Sequence, residues 1–304
     1  MQNIELNSIW NNLIGTEFKQ TYYQAGSIRT RVIEAGTGEP LIFLHGTGGH
    51  AEAYARNIAA HANYFHVYAI DMVGHGFSDK PEELDYKIND FVNHLKDFID
   101  VIGADKVNLS GESLGAFVSV HFTHQYPERV NRLVLNTGIT GPWTEQGYQE
   151  LEDMLVRSQQ ASETLTMESV RKRLEWLMEN KNDVTDELVE TRHYIYSQPG
   201  AAKMMGKITQ SVVNSILESR TNPKAAFADD RLLSSIEHET LVFWTFSNPA
   251  QPWVVAEKAA TNLANHRFYL MEDAGHWPQW EKADEFNQVH LEFLRFRCRN
   301  TIQK

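Results

Sequence analysis

Five residues, Gly111-Glu112-Ser113-Leu114-Gly115, constrain this chain more than any other feature. They follow a short apolar run at 107–109 and precede a helical pattern over 114–126. Glycines on both flanks of a serine, between a buried strand and a helix, describe a turn too tight for side chains on either side. Such a turn lifts the serine hydroxyl clear of the main chain at a helix start, where free N–H groups and the helix dipole favour developing negative charge. Ser113 is the candidate nucleophile.

The pattern around this turn repeats along the chain. Alternating runs at 18–25 and 28–35 open it, and short apolar runs follow at 40–44, 66–70, 107–109, 130–135, 240–244 and 267–271. Runs of that length closed by turn residues read as buried strands. Helical periodicity separates most of them, over 51–62, 88–102, 114–126, 254–265 and 283–296. Strand alternating with helix predicts an α/β fold with a mostly parallel sheet covered on both faces. The alternation stops between Gly138 and about Asn222, where the pattern is polar and helical (148–159, 167–179, 186–196). The expected organisation is a core in two parts, 1–138 and 223–304, with a helical cap at 139–222 inserted after the sixth strand. The cap would cover the carboxyl edge of the sheet, where open α/β folds bind ligands.

A serine hydroxyl needs a base near neutral pH. Thirteen histidines compete. His276 stands out because it lies in Asp273-Ala274-Gly275-His276-Trp277, just after the last predicted strand, where the chain order of this architecture puts the base. His61, His94 and His121 fall on predicted helices and His66 on a strand, where structural roles are expected. Oxyanion donors are expected from the N–H of Leu114 and from the loop His45-Gly46-Thr47-Gly48-Gly49, with Thr47 as the second donor. That loop lacks the Lys-Ser/Thr ending of a phosphate-binding loop. The third position departs from the pattern. After the run at 240–244 stands Thr245-Phe246-Ser247-Asn248-Pro249, so Asn248 takes the place of an orienting acid, and the alternative position, Asn136, is also an amide. An asparagine can accept from Nδ1–H but stabilises an imidazolium less than a carboxylate does. Asp273 and Glu281 are near in sequence, without any pattern that puts them in contact.

With these residues in place, the chain resembles the meta-cleavage-product hydrolases of the α/β-hydrolase superfamily, which cleave a carbon–carbon bond in ring-opened aromatic catabolites such as 2-hydroxy-6-oxohexa-2,4-dienoates. The narrowest match is Gly275-His276-Trp277-Pro278-Gln279-Trp280-Glu281-Lys282-Ala283-Asp284-Glu285-Phe286-Asn287; a second is Thr185-Asp186-Glu187-Leu188-Val189 followed by Arg192. Asp71-Met72-Val73-Gly74-His75-Gly76-Phe77-Ser78 and Asn57 are shared more widely in the superfamily. The resemblance spans nearly the whole chain. It implies a cap arginine, Arg192, at the carboxylate and enol end of the substrate, a role that suits the planar fork of a guanidinium. The rival reading of Arg192 is a solvated helix residue paired with Asp186, Glu187 or Glu190. Trp277 and Gly46 are further candidates for substrate contact. The chain departs from the family in carrying Glu112 where Asn usually precedes the nucleophile, in a shorter glycine loop, and in Asn248.

The implied reaction begins with ketonisation of the dienol, His276 shuttling the proton. Ser113, or a water held by His276, then adds to the distal carbonyl, and carbon–carbon cleavage gives a 2-hydroxydienoate and an acid. A stabilised carbanion as leaving group would relax the demand on the triad's third member. Two rivals use the same features: a carboxylesterase or lactonase acting on small esters, and a hydrolase-fold binding protein with little turnover, which Asn248 favours.

Composition narrows the setting. Of 304 residues, 42% are hydrophobic and 22% charged, enough for a buried core. A net charge of −12 argues against nucleic acid as partner; a small anionic substrate is expected instead. The single cysteine, Cys298, allows no intrachain disulfide. Residues 1–10 show no secretory signal, and no apolar run reaches the roughly 18 residues that span a bilayer. A cytoplasmic protein without membrane contact is expected, assembling as a homo-oligomer, a dimer or larger. No His-Glu-x-x-His or paired-cysteine spacing occurs, so no metal or organic cofactor is expected.

Overall fold

The computed structural model describes residues 8–296, apart from the side chains of 160–163; Cys298 and the first seven residues lie outside the described part. Eight strands form one sheet: β1 (Phe18–Ala25), β2 (Ile28–Ala35), β3 (Pro40–Leu44), β4 (His66–Ile70), β5 (Val107–Glu112), β6 (Val130–Asn136), β7 (Thr240–Thr245) and β8 (His266–Met271). Their order is β1-β2-β4-β3-β5-β6-β7-β8. β1 pairs antiparallel with β2, and β2 with β4; every later pair is parallel. β5 and β7 are buried along their whole length, as strands covered on both faces must be.

The helices are α1 (Ala55–Ala62), α2 (Ile88–Val101), α3 (Leu114–Gln125), α4 (Glu145–Glu163), α5 (Met167–Leu177), α6 (Asp186–Tyr196), α7 (Ala201–Leu217), α8 (Arg231–Ser234), α9 (Trp253–Ala260), α10 (Pro278–Glu281) and α11 (Ala283–Arg295). The stretch expected to be one helix over 51–62 divides into a 3₁₀ turn, Ala51–Tyr54, and α1. The helix expected over 254–265 stops at Ala260, because the N–H groups of Thr261, Asn262 and Leu263 turn back three residues. α4 to α7 all lie between β6 and β7. α3 is buried on nearly every side, and its Ser119 and Thr123 hydroxyls donate to carbonyls one turn earlier (2.8 and 2.7 Å), so no polar group is stranded in that core. Among the described residues no helix is long and apolar enough to cross a membrane.

A buried ion cluster fixes the loops under the carboxyl edge. Arg31 on β2 bonds Glu52 (2.6 Å) and Asp71 (3.3 Å). Asp71 in turn accepts the N–H of Ala51 (2.7 Å) and of Phe77 (2.8 Å), tying the loop after β3 to the loop after β4.

Several histidines are interior struts. Asn57 O can only accept, so His61 donates through Nδ1 (2.7 Å). His61 Nε2 then accepts from His290 Nδ1 (2.9 Å), and His290 Nε2 accepts from Ser110 Oγ (2.8 Å). This chain joins α1, α11 and β5, and a proton on His61 Nε2 would set it against the His290 Nδ1–H and break the link. Burial draws His45 and His61 down to about 4 and His94 to about 3, with His75 and His290 also held low. Unfolding returns these rings to their ordinary value, so below neutrality the unfolded chain binds more protons than the folded one. Their stabilising contribution is complete above pH about 6.5 and is lost as the pH falls toward the folded values. Denaturant titrations between pH about 7 and 5 should show stability falling with uptake of at least about four protons, each worth roughly 1.4 kcal/mol per pH unit. An uptake below about two would contradict this account of the buried imidazoles.

Candidate active site

Ser113 sits between β5 and α3 with φ 52° and ψ −115°, a conformation that strains any residue with a side chain. Its N–H donates to Asn136 O (2.9 Å), and its carbonyl accepts from Ala116 (3.0 Å) and Phe117 (3.2 Å), so the bend is held from both sides. The flanking glycines are steric necessities: a Cβ on Gly111 would lie 2.2 Å from the Gly115 main chain, and one on Gly115 2.2 Å from Leu44 O. Ser113 lines an inner cavity of about 50 Å³ with Gly46, Thr47, Leu114, Asn248, His276 and Trp277. Leu114 opens α3, so its N–H has no acceptor within the helix. The Gly46 N–H is engaged: it donates to Glu112 Oε2 (2.6 Å). A Cβ on Gly46 would fall 2.7 Å from both Glu112 oxygens and 2.8 Å from Ser113 Cβ.

The loop after β8 delivers His276. Its main chain is gripped by Leu177 O, which accepts the His276 N–H, and by Thr137 Oγ1, which donates to His276 O (2.9 Å). Asn248 Oδ1 lies 3.1 Å from His276 Nδ1. The same oxygen accepts the Ala250 N–H (3.1 Å), which fixes the amide's orientation, since a flipped NH₂ would oppose that donor. Nδ1 therefore carries the hydrogen and Nε2 the lone pair. Burial, with the Arg173 charge adding, draws His276 down to about 3. The other acid candidates are engaged elsewhere. Glu281 accepts the N–H groups of Gly275, Trp277 and Glu179 at 2.7 to 3.1 Å, shaping the loop and leaving the ring alone. Asn136 donates to Gln279 (2.7 Å).

Two features were not legible in the sequence. Glu112 is buried with Oε1 3.3 Å from His276 Nε2. Burial pushes its carboxyl up to about 8, against the Gly46 N–H and the charges of Arg192 and Arg173. The sequence marked Glu112 only as a departure from a family pattern. Arg173 on α5 lines both the inner cavity and an outer one of about 450 Å³, which also share Thr47 and Trp176. Its guanidinium lies 4.8 Å from the Trp176 ring, and burial, with Arg192 adding, lowers it to about 10, still cationic at neutrality. In the run Arg171-Lys172-Arg173 nothing in the sequence separates it from a solvated basic face.

Arg192 on α6 is 1% exposed. Its guanidinium stacks at 4.9 Å from the Trp277 ring and 5.9 Å from Tyr196, while Nε and Nη2 have no hydrogen-bond partner among the described residues. The acids that could have neutralised it from its own helix are elsewhere: Asp186 pairs with Arg171, and Glu187 holds Ser8 Oγ and the Ile9 N–H. A buried cation left this way is costly unless an anion completes it. One wall of the inner cavity, which Arg173 but not Arg192 lines, is apolar: Phe117, Leu151, Met154, Val212 and Ile216. The site can thus present a hydroxyl, an oriented neutral imidazole, main-chain donors and unpaired cations to one small molecule.

Comparison with known proteins agrees with this geometry. The family model for the α/β hydrolase fold matches residues 39–283. A 2-hydroxy-6-oxononadienedioate/2-hydroxy-6-oxononatrienedioate hydrolase of Burkholderia vietnamiensis is 31% identical over 279 residues, 88% of this chain and 91% of the relative. Among solved structures, a meta-cleavage product hydrolase from Pseudomonas fluorescens IP01 superposes with a TM-score of 0.76 at 25% identity, over 90% of this chain and 97% of that one. A 2-hydroxy-6-oxo-6-phenylhexa-2,4-dienoate hydrolase from Rhodococcus shares the fold with a TM-score of 0.80 at 20% identity, over 92% of this chain and all of its own. The chain belongs to the α/β hydrolase fold family, among the meta-cleavage-product hydrolases.

Proposed function

We propose that the protein hydrolyses a carbon–carbon bond in a ring-opened aromatic catabolite of the 2-hydroxy-6-oxohexa-2,4-dienoate type, with Ser113 as nucleophile and His276 as base. The observation that carries this reading is Arg192: a buried guanidinium with two unpaired nitrogens, beside the tryptophan that follows the base. A small anionic substrate satisfies it, and a neutral ester does not. The names of the relatives support the same substrate class.

Asn248 orients the imidazole, and the N–H groups of Thr47 and Leu114 receive the oxyanion. The dienol first ketonises, losing its hydroxyl proton and gaining one on the carbon next to the distal carbonyl, with His276 carrying the proton. Ser113 Oγ, or water activated by His276, adds to that carbonyl. The carbon–carbon bond then breaks with its electron pair leaving on the dienoate fragment, which takes up a proton, and the other fragment departs as a carboxylic acid once water has supplied its hydroxyl. Trp277 and Gly46 line the reacting end; residues 139–222 act as the cap. Assembly as a homo-oligomer and a cytoplasmic setting complete the proposal, the latter supported by a single cysteine and hence no intrachain disulfide.

Spectrophotometric assay of a panel of coloured dienoates against p-nitrophenyl esters tests the reading. Ser113→Ala should abolish turnover of both classes; turnover of esters alone by the wild type would decide for an esterase. Arg192→Gln should lower kcat/KM for dienoates by about 10²–10³, leave ester turnover within about threefold, and not lower the thermal midpoint, because an uncompensated buried charge has been removed. Equal losses on both substrates would remove Arg192 from the anion site.

Asn248→Asp puts a carboxylate against Nδ1 and raises the imidazole from its depressed value, since an opposite charge favours the protonated ring. The acid limb of the kcat/KM profile should move up by at least about one pH unit. An unmoved limb would mean that Asn248 does not address the base during turnover.

A further inference from the structure

The inner cavity, which holds Ser113 and His276, and the outer cavity of about 450 Å³ share Thr47, Arg173 and Trp176, so these residues form the neck between them. The Arg173 guanidinium lies 4.8 Å from the Trp176 ring, and that ring stands 6.4 Å from the His276 ring. Arg192 reaches the same neck from the next helix. It lies 5.9 Å from the ring of Tyr196, which lines the outer cavity, and 4.9 Å from the ring of Trp277, which lines the inner one. α5 and α6 pack against each other, and each sets one guanidinium at the junction.

The rival reading of Arg173 is one more basic residue on a solvated helix face. The contacts of its neighbours separate it from that role. Arg171 pairs with Asp186, and Lys172 pairs with Glu168 (2.7 Å). Among the described residues no carboxylate pairs with Arg173, whose guanidinium is stacked on Trp176 instead. Each cavity has one carboxylate in its wall, and both are engaged. Glu168 of the outer cavity holds Lys172, and Glu112 of the inner cavity accepts the Gly46 N–H (2.6 Å) and the Trp277 indole. Two like charges at one neck, with no acid joined to either, cost stability until an anion enters.

We propose that Arg173 is a second substrate-binding residue, which with Arg192 clamps the substrate carboxylate at the neck between the two cavities. Guanidinium forks from two helices give the two carboxylate oxygens separate donors, and the Trp176 face under Arg173 holds its fork in place. The clamp also orients the molecule. With the anionic end at the neck, the distal carbonyl lies toward Ser113 and the remaining substituent against the apolar wall of the inner cavity. The outer cavity, with Arg157 and Lys172 in its wall, is the side from which an anion reaches the neck. A neutral molecule gains nothing from either cation, so Arg173 sets specificity for charge. The inference deepens the proposed function and rests on the reading that the substrate is an anionic dienoate.

Sorbate (hexa-2,4-dienoate) carries the diene and the carboxylate without a bond to cleave, so its binding reads the clamp apart from catalysis. Methyl sorbate is the same skeleton without the charge. Calorimetric titration of the wild-type protein should show sorbate bound at least about tenfold more tightly than methyl sorbate. Arg173→Met keeps an unbranched stem against Trp176 and removes the charge. It should weaken sorbate by about 10–10²-fold, shrink the advantage over methyl sorbate by the same factor, and not lower the thermal midpoint. Arg173→Lys keeps the charge without the fork and should fall between the two. Equal affinity for sorbate in the wild-type protein and Arg173→Met, or sorbate bound no better than its methyl ester by the wild type, overturns the clamp. If Arg173→Met does not fold, Arg173→Gln carries the same expectation. The two levels separate in the kinetics. Sorbate binding that depends on Arg173, without turnover of any 2-hydroxy-6-oxohexa-2,4-dienoate, refutes the proposed function and upholds the clamp. Dienoate turnover by Arg173→Met at the wild-type kcat/KM refutes the clamp alone.

Discussion

The strained bend at Ser113 is the constraint around which the rest is arranged. A serine with positive φ is costly, by about 1–3 kcal/mol, and persists only where surrounding contacts over-determine it. Here the contacts come from sequence-distant places at once. β6 accepts the Ser113 N–H through Asn136, α3 turns back onto its carbonyl, and three glycines, Gly111, Gly115 and Gly138, let main chain approach main chain. A Cβ on Gly138 would meet Ser113 O at 2.6 Å, so the last residue of the expected first core part, next to the cap segment, also supports the bend. The burial of α3 from Leu114 to Thr123 follows from the same constraint: a helix that begins at the centre of the sheet has little solvated face.

What the bend presents is a site whose acids are neutral and whose bases are not all neutral. Asn248 carries no charge, burial pushes the Glu112 carboxyl up to about 8 and draws His276 down to about 3, and the guanidinium groups of Arg192 and Arg173 stand nearby. A chain with net charge −12 therefore contains a locally positive chamber. The overall negative charge does not stand against a small anion held there. The apolar wall of Phe117, Leu151, Met154, Val212 and Ile216 faces the other part of the same space, which suits a molecule with one charged and one uncharged end.

Much of this is legible in the sequence. The strands at 18–25, 28–35, 40–44 and 66–70 coincide with β1 to β4: the buried β3 and β4 are apolar runs closed by turn residues, and β1, exposed over most of its length, shows in its alternation. β5 was read three residues short: Ser110, Gly111 and Glu112 are not apolar, yet they continue the ladder opposite Val134, Leu135 and Asn136, and their side-chain needs are met by His290 and Gly46. Tertiary partners made a polar segment a strand, and sequence does not print its partners. The Asn248–His276 contact was anticipated from chain order. Arg173 was not, because the cavity it lines is closed by residues from separate parts of the chain, such as Thr47 and Tyr196.

An amide at position 248 suits this electrostatic balance. An acid there would pull the imidazole toward its charged form in a site already carrying two arginines and needing to admit an anion. In a serine protease, amide substitution of the acid costs about 10⁴-fold because it leaves the imidazole in the wrong tautomer, whereas here the Asn248 oxygen, held by the Ala250 N–H, faces Nδ1. A ketonised dienoate leaves as a delocalised carbanion, and in the proposed reaction Arg192 and Arg173 stabilise that charge as it develops. The charge stabilisation that a protease builds behind its histidine can here lie in front of it, on the substrate side. In that arrangement Asn248 has only to fix which nitrogen carries the hydrogen, and its Oδ1, anchored by the Ala250 N–H, is sufficient for that.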